Sequence, residues 1–441
     1  MILDLLSSRR FAPQFWAQFF SALNDNVLKN ALVIILLYGG MVSERETLVT
    51  VAGAVFIFPY FILSGLGGEL ADKYVKSVVA RRLKFAEIFA AIFAAIGFLL
   101  HHHPLSVPLL FTALGLFGVI AALFGPVKYA LLPDQLALGE LATGNALVEG
   151  ATFLAILLGT IAGGQFVAGS NHPGWVASAI VLFALASWAF AARIPATPES
   201  APELEITVNP WTSTVHLLKT LYEDKAIFDG MLIVSWFWLA GAVVLSLLPT
   251  LIRDIIGGTE GVTTLCIAIF AIGIAAGSLL AAHLSHVRPN LTLVPIGAAI
   301  MGVVGLDLAC LVATAAIGQD VTPKAFLASF SSLRLLADFT LFAFGGGLLV
   351  VPSFAAVQAW SPRELRARII AAGNALQAAL ITAGLLVVAV LQRSGIHIGW
   401  IFLGLGFASF AVVWFVLFNW RRRQDTSQDT SACQPLTCSR S

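Results

Sequence analysis

Asp25 and Lys29 stand four residues apart in "FFSALNDNVLKNALVIILLYGG" (19–40), surrounded by the amides of Asn24, Asn26 and Asn30. Residues at that spacing share one helix face, so an acid and a base can pair there. Yet the stretch is otherwise apolar enough for lipid. An ionisable side chain at the bilayer centre costs roughly 2.5–3.5 kcal/mol on insertion scales, so such groups face a bundle interior or a water-filled cavity. Two readings stand. The stripe lines a binding cavity, or an Asp25–Lys29 pair locks this segment to a neighbour. Asn26 and Asn30 repeat the spacing one residue on and widen the stripe. Glu149, four residues after Asn145 in an apolar run, raises the same question. Glu149 is a candidate partner for Lys128 or Lys29, or a ligand for a charged group on a substrate.

The composition says what must position these groups. Of 441 residues, 59% are hydrophobic and 11% charged, with a mean hydropathy of +0.91. Soluble domains carry about 25% charged residues. Lys+Arg at 25 against Asp+Glu at 24 points to neither nucleic acid nor an acidic partner. The expected fold class is all-α integral membrane. No signal-peptide cleavage pattern ends the first apolar run. Catalysis is not expected: none of the eight histidines has aspartate five positions later, and no phosphate-binding G-x4-GK[ST] loop occurs. Cofactor and metal are expected to be none. The "HHHP" run at 101–104 reads as an exposed turn, and Cys266, Cys310, Cys433 and Cys438 as unpaired thiols.

A bilayer core needs about 20 apolar residues per helix. Twelve such runs occur, near 13–40, 47–70, 85–102, 105–125, 143–168, 174–193, 227–252, 262–284, 291–317, 333–358, 368–391 and 398–420. Lys and Arg in the short segments set the orientation. Lys73, Lys76, Arg81, Arg82 and Lys84, then Arg363, Arg366 and Arg368, then Arg421–Arg423 all fall on one side with the N-terminus. Both termini are therefore expected in the cytoplasm.

Four parts are expected: a six-helix half over 1–193, a cytoplasmic linker over 194–224, a second half over 225–420, and a polar, disordered tail over 421–441. The linker's Pro/Glu/Ser-rich start reads as flexible, and "WTSTVHLLKTLY" within it as an interfacial helix. "GNAL" occurs at 144–147 and again at 373–376, each time after a Glu-Leu loop and an upstream proline, Pro126 or Pro352. A duplicated half explains this. Asn374 and Gln377 are then the second-half echo of Asn145 and Glu149, with Gln377 in place of the acid.

"GLGGELADKYVKSVVARR" (65–82) resembles the loop signature of the major facilitator superfamily, with Gly68, Asp72 and Lys73 matching its start and Arg81-Arg82 its basic end. Asp72 can accept from a base or cap a helix N-terminus, latching one conformation. The plainer reading is a positive-inside loop. Parallel six-helix repeats with a midplane site are that superfamily's architecture. "QFFSALNDNVLKNALV" (18–33), the 124–164 block and "VVPSFAAVQAWSPRELRARIIAAGNALQAAL" (350–380) resemble the lysophospholipid transporter family, closest to its form fused to a 2-acylglycerophosphoethanolamine acyltransferase. The resemblance spans residues 11–420.

It implies movement of lysophospholipids across a bacterial inner membrane for reacylation, with membrane lipid and a cytoplasmic acyltransferase/acyl-ACP synthetase as partners. It carries family positions onto Asp25-Asn26, Lys128 and Glu149. Where some members have an arginine early in span seven, this chain has Leu245, with Lys29 as the expected replacement cation. Trp236 and Trp238 read as an interfacial belt or as contacts for an acyl chain. The alternative function is a facilitator-type exporter of a drug or small metabolite, which would keep the same topology.

Overall fold

The computed structural model describes residues 2–38, 45–168, 174–207, 209–285, 289–314 and 321–420. The expected tail over 421–441, with Cys433 and Cys438, lies outside the described residues. Among the described residues the regular structure is helical apart from one isolated bridge, Gly258 to Val321. The helices are α1 (Ile2–Ser7), α2 (Ala12–Tyr38), α3 (Arg45–Lys73), α4 (Lys76–Leu99), α5 (Ser106–Gln135), α6 (Leu138–Ala168), α7 (Gly174–Ala191), α8 (Pro210–Glu223), α9 (Lys225–Thr250), α10 (Glu260–His283), α11 (Leu293–Ala313), α12 (Pro323–Leu327), α13 (Phe330–Trp360), α14 (Arg366–Arg393) and α15 (Ile398–Phe415).

Ten of these are long and apolar enough to cross a membrane. With α2 and α4, which are long enough but carry ionisable groups, they give the twelve expected spans. Most spans fall within a few residues of the apolar run that marks them. The largest departures are on the face where α2 begins, here called the N-terminal face. The segment expected as a loop over 71–84 is nearly all helix. Only Tyr74 and Val75 separate α3 from α4. Likewise α5 runs on through Pro126 and Pro133 to Gln135. The apolar runs mark the hydrocarbon layer, whereas the helices continue past it where polar side chains meet each other.

The first six spans pack as one unit, with α2 against α6 and α7, and α5 against α3 and α4. The second six form another, with α13 against α10 and α11, and α11 against α15. Two pairs make the broadest contacts between the units: α3 with α14, and α6 with α10. Exchanging the halves turns span two into span eight and span eleven into span five, so these two pairs are equivalents. Glycine makes the close crossings possible. A Cβ on Gly68 would lie 2.7 Å from the Ala371 Cβ and 2.9 Å from the Ala367 carbonyl oxygen of α14, so only a bare backbone fits there.

The linker is not free. Asp72 accepts from Ser200 N–H (3.1 Å) and Ala201 N–H (2.8 Å) through its carbonyl, and Lys76 Nζ donates to Ser200 Oγ (2.6 Å). Helix α8, where the amphipathic stretch was expected, is capped by Asn209. Ser213 Oγ and Thr207 N–H donate to the Glu69 carboxylate at 2.6 and 2.8 Å. The polar composition that suggested flexibility supplies these bonds instead.

Candidate functional site

Gln18, Val27 and Leu28 show how α2 sorts its residues. Val27 and Leu28 are fully buried in the first half, and Gln18 donates to the Val148 carbonyl (3.1 Å). The amides divide. Asn24 donates to the Ile180 carbonyl of α7 (3.0 Å), and Asn30 to Thr160 Oγ1 of α6 (3.2 Å). They knit α2 into its own half. Asp25, Asn26 and Lys29 point the other way, onto the wall of a cavity of about 310 Å³ between the two halves.

Helix geometry thus answers the puzzle of the polar stripe: it faces two ways. Asp25 and Lys29, which the sequence allowed to pair, form no ion pair within 4.0 Å, and both line the cavity. Each is only half-buried, because each opens onto the cavity. The Lys29 ammonium lies 5.7 Å from the centre of the Phe56 ring.

The cavity also takes Lys128 and Tyr129 from α5, Glu149 and Thr152 from α6, Trp238 from α9, Phe354 from α13, and Asn374 and Gln377 from α14. Glu149 is buried. It does not pair with Lys128 or Lys29. Its Oε1 accepts from the Tyr129 hydroxyl at 2.7 Å, and its Oε2 is buried without a partner. The Lys128 ammonium reaches Gln18 Oε1 at 3.4 Å and sits 4.6 Å from the centre of the Tyr129 ring. Gln14 holds the Lys128 backbone carbonyl. Two cations and two acids therefore line one space without neutralising each other directly.

Asn145 is a correction. It is fully buried and off the cavity. Its Nδ2 donates to Gln358 Oε1 at 2.7 Å, and Gln358 Nε2 donates to the Tyr129 carbonyl and Asn145 Oδ1, each at 3.2 Å. This amide pair is a clasp between α6 and α13. Its helical repeat mate, Asn374, lies on the wall and presses against Gly125, where a Cβ would meet its amide nitrogen at 2.9 Å. The "GNAL" register also places Ala378, not Gln377, opposite Glu149. Leu245 does not line the cavity.

Between the cavity and the N-terminal face lie further contacts across the halves. Asp72 accepts from Ala367 N–H (3.1 Å), Arg368 N–H (3.2 Å) and Arg368 Nε (3.2 Å), capping α14. Asp134 pairs with Lys76 at 2.9 Å and with Arg366 at 3.7 Å. A carboxylate is well placed at a helix N-terminus, where backbone N–H groups lack partners. Arg81 and Arg82, expected in this latch, are exposed on α4 and make no ion pair among the described residues. They sit more than a turn into the helix that the loop reading had missed. Lys73 lies 5.8 Å from the Tyr74 ring centre and makes no bond to the second half. Lys76, Asp134, Arg366 and Gln358 went unnoticed in the sequence as site residues, though Asp134 follows the "GPVKY" block.

Behind the wall, Lys84 donates to Ser21 Oγ (2.6 Å) and Glu87 Oε2 (2.7 Å), with both charged groups buried. Trp238 is not at an interface. It is in mid-helix, stacked on Phe153 with ring centres 5.7 Å apart. His101–His103 form the turn between α4 and α5, and no group of three or more His, Cys, Asp or Glu among the described residues could hold a metal.

Two six-helix units around a central polar cavity, joined by two equivalent helix pairs, define a solute transporter of the alternating-access class. Residues 15–319 match the model of the Major Facilitator Superfamily, and the chain belongs to that family. It is 28% identical over 422 residues to the lysophospholipid transporter LplT of Enterobacter sp. (strain 638), covering 92% of this chain and 95% of the relative. It is 29% identical to the LplT of Klebsiella pneumoniae subsp. pneumoniae, covering 95% and 98%. Among solved structures, the human organic anion transporter MFSD10 superposes with a TM-score of 0.70 at 16% identity, covering 92% of this chain and 99% of that one. A bacterial homologue of the iron transporter ferroportin, in its outward-facing state, gives 0.67 at 15% identity, covering 91% and 98%.

Proposed function

We propose that this protein carries lysophospholipids between the leaflets of a bacterial inner membrane, delivering them for reacylation, and that it is a transporter rather than an enzyme. The observation that carries this reading is the cavity lining: Lys29 and Lys128 beside Asp25 and Glu149, with rings of Phe56, Tyr60, Trp238 and Phe354 around them. A zwitterionic head group needs a cation for its phosphate and an acid for its amine. Charge-assisted hydrogen bonds supply both. The cavity volume, about 310 Å³, is at the small end for ligand sites, which run from about 300 to 1,000 Å³. It suits a head group, leaving the single acyl chain along apolar helix surface. The names of the curated relatives support the same substrate class.

The conformation closed on the N-terminal side is one end state. Asp72 on α14, Lys76–Asp134–Arg366, and Asn145–Gln358 are its latches, with Gly68 allowing the close contact. The Lys/Arg bias puts this face in the cytoplasm. Substrate then enters from the outer leaflet, and opening of the latches releases it inward. A cytoplasmic acyltransferase/acyl-ACP synthetase consumes it there. The test is uptake of labelled lysophosphatidylethanolamine by spheroplasts, comparing native protein with Asp25→Asn and Glu149→Gln at matched expression. Loss in either variant supports the site. Unchanged uptake in both removes these acids from it, and no native uptake by folded, inserted protein favours a small-molecule exporter.

A further inference from the structure

Away from the cavity, the flank between α11 and α13 carries three ionisable side chains that the transport cycle above does not use. Arg334, one turn into α13, donates through Nε to Asp307 Oδ2 of α11 (3.0 Å) and through a second guanidinium nitrogen to Asp307 Oδ1. The pair is open to the outside: the side chains are 47% and 35% exposed. Asp338 follows Arg334 by one turn and interacts with both Asp307 and Arg334. The residue is 6% exposed and its Oδ2 is buried with no hydrogen-bond partner.

The surroundings are those of a lipid-facing surface. Val303, Phe330, Leu333 and Leu341 are all exposed on these two helices. Asp307 is near the end of α11 and Arg334 near the start of α13, so the cluster lies toward the face opposite the N-terminal face. With the orientation expected from the Lys/Arg bias, this end of the two helices is the outer one, where lipid head groups meet an apolar rim.

We propose that Arg334, Asp307 and Asp338 form a second lipid site, which holds the phosphoethanolamine head of an outer-leaflet lipid from the side. The chemistry selects the head. Arg334 has a guanidinium nitrogen beyond the two on Asp307 and is open to a phosphate, the geometry arginine suits. Asp338 Oδ2 wants a hydrogen-bond donor, which a primary ammonium supplies and a choline does not. Unlike the central cavity, the Arg334–Asp307 pair is open along the flank, with Asp338 buried behind it, so the site sets no limit of one acyl chain. The ligand is either a lysolipid on its way to the cavity or the diacyl lipid of the surrounding bilayer.

The test is photo-crosslinking of the full-length protein in nanodiscs. The probes are lysophosphatidylethanolamine, diacyl phosphatidylethanolamine and lysophosphatidylcholine, each with a diazirine near the glycerol, mapped by peptide mass spectrometry. Both ethanolamine probes should label peptides of α11 and α13 at least about tenfold more than the choline probe. Asp338→Asn and Arg334→Gln should each abolish that excess. Lysolipid labelling of α5 and α6 at the central cavity, unchanged in the same samples, shows that the variants are folded. Its absence in native protein would count against the central site and leave this one standing. Labelling by the lysolipid alone assigns the site to substrate capture, and labelling by both ethanolamine lipids to the bilayer lipid class. Equal labelling by choline lipid, labelling indifferent to Asp338→Asn, or none on α11 and α13 would overturn the proposal.

Discussion

The two halves share a fold but not a chemistry. The first places Asp25, Lys29, Lys128 and Glu149 on the cavity wall. The second places Trp238, Phe354, Asn374 and Gln377 there, with no charge among them. The repeat mate of Glu149 is Ala378. Duplication thus left the scaffold alike while the site became one-sided. The latch is lopsided in the same way. Asp72 of α3 caps α14, whereas "AAHLSHVR" (281–288) at the matching place in the second half has no acid; its last residues lie outside the described residues.

The asymmetry can be broken most directly at the charges. Glu149→Gln is expected to lower lysophosphatidylethanolamine uptake on the order of a hundredfold, because losing one member of a buried, hydrogen-bonded charge contact costs about 2–5 kcal/mol. Gln377→Leu, on the neutral wall, should lower it by no more than about threefold. Equal losses would end the one-sided account.

Next in size is the glycine crossing. Gly68→Leu overpacks α3 against α14, which costs roughly 1–3 kcal/mol, and should shift the population about thirtyfold away from the closed form. Spin labels at Arg81→Cys and Arg363→Cys, both exposed at the N-terminal face, should then report a longer separation by pulsed dipolar spectroscopy. An unchanged distance distribution would mean that this crossing does not set the closed state.

Gln358→Leu tests the amide clasp. It leaves the buried Asn145 Oδ1 without a donor, while Nδ2 keeps the Leu141 carbonyl at 2.9 Å; that costs about 1–3 kcal/mol and should move the same distance distribution about tenfold in population, with Glu149-dependent binding retained. Loss of binding instead would make Asn145 part of the site. The smallest effect is expected at the aromatic wall. Trp238→Phe keeps a ring in place and should alter uptake by only about two- to threefold, read as a change in preference among acyl-chain lengths. A loss as large as that of Glu149→Gln would move the site toward the second half.

Much of this was legible before any coordinates. The twelve apolar runs set the helices because, in lipid, a backbone must satisfy its own hydrogen bonds, and only length and apolarity are needed to see it. The "GNAL" echo pointed to a duplication, and the cost of charge in lipid singled out Asp25, Lys29 and Glu149, whereas Lys128 lies outside the apolar runs and entered through the family resemblance. Tertiary structure alone decided which way each group points. Helical spacing allowed Asp25 to pair with Lys29, but the cavity lies between them and other helices, and they stay apart. Asn145 and Asn374 sit in the same tetrapeptide, yet one clasps α13 and the other lines the wall. Asp72 found its partner almost three hundred residues away, at the start of α14. A partner at such a distance leaves no periodicity in the chain. It exists only once two helices cross, and the crossing depends on a missing side chain at Gly68.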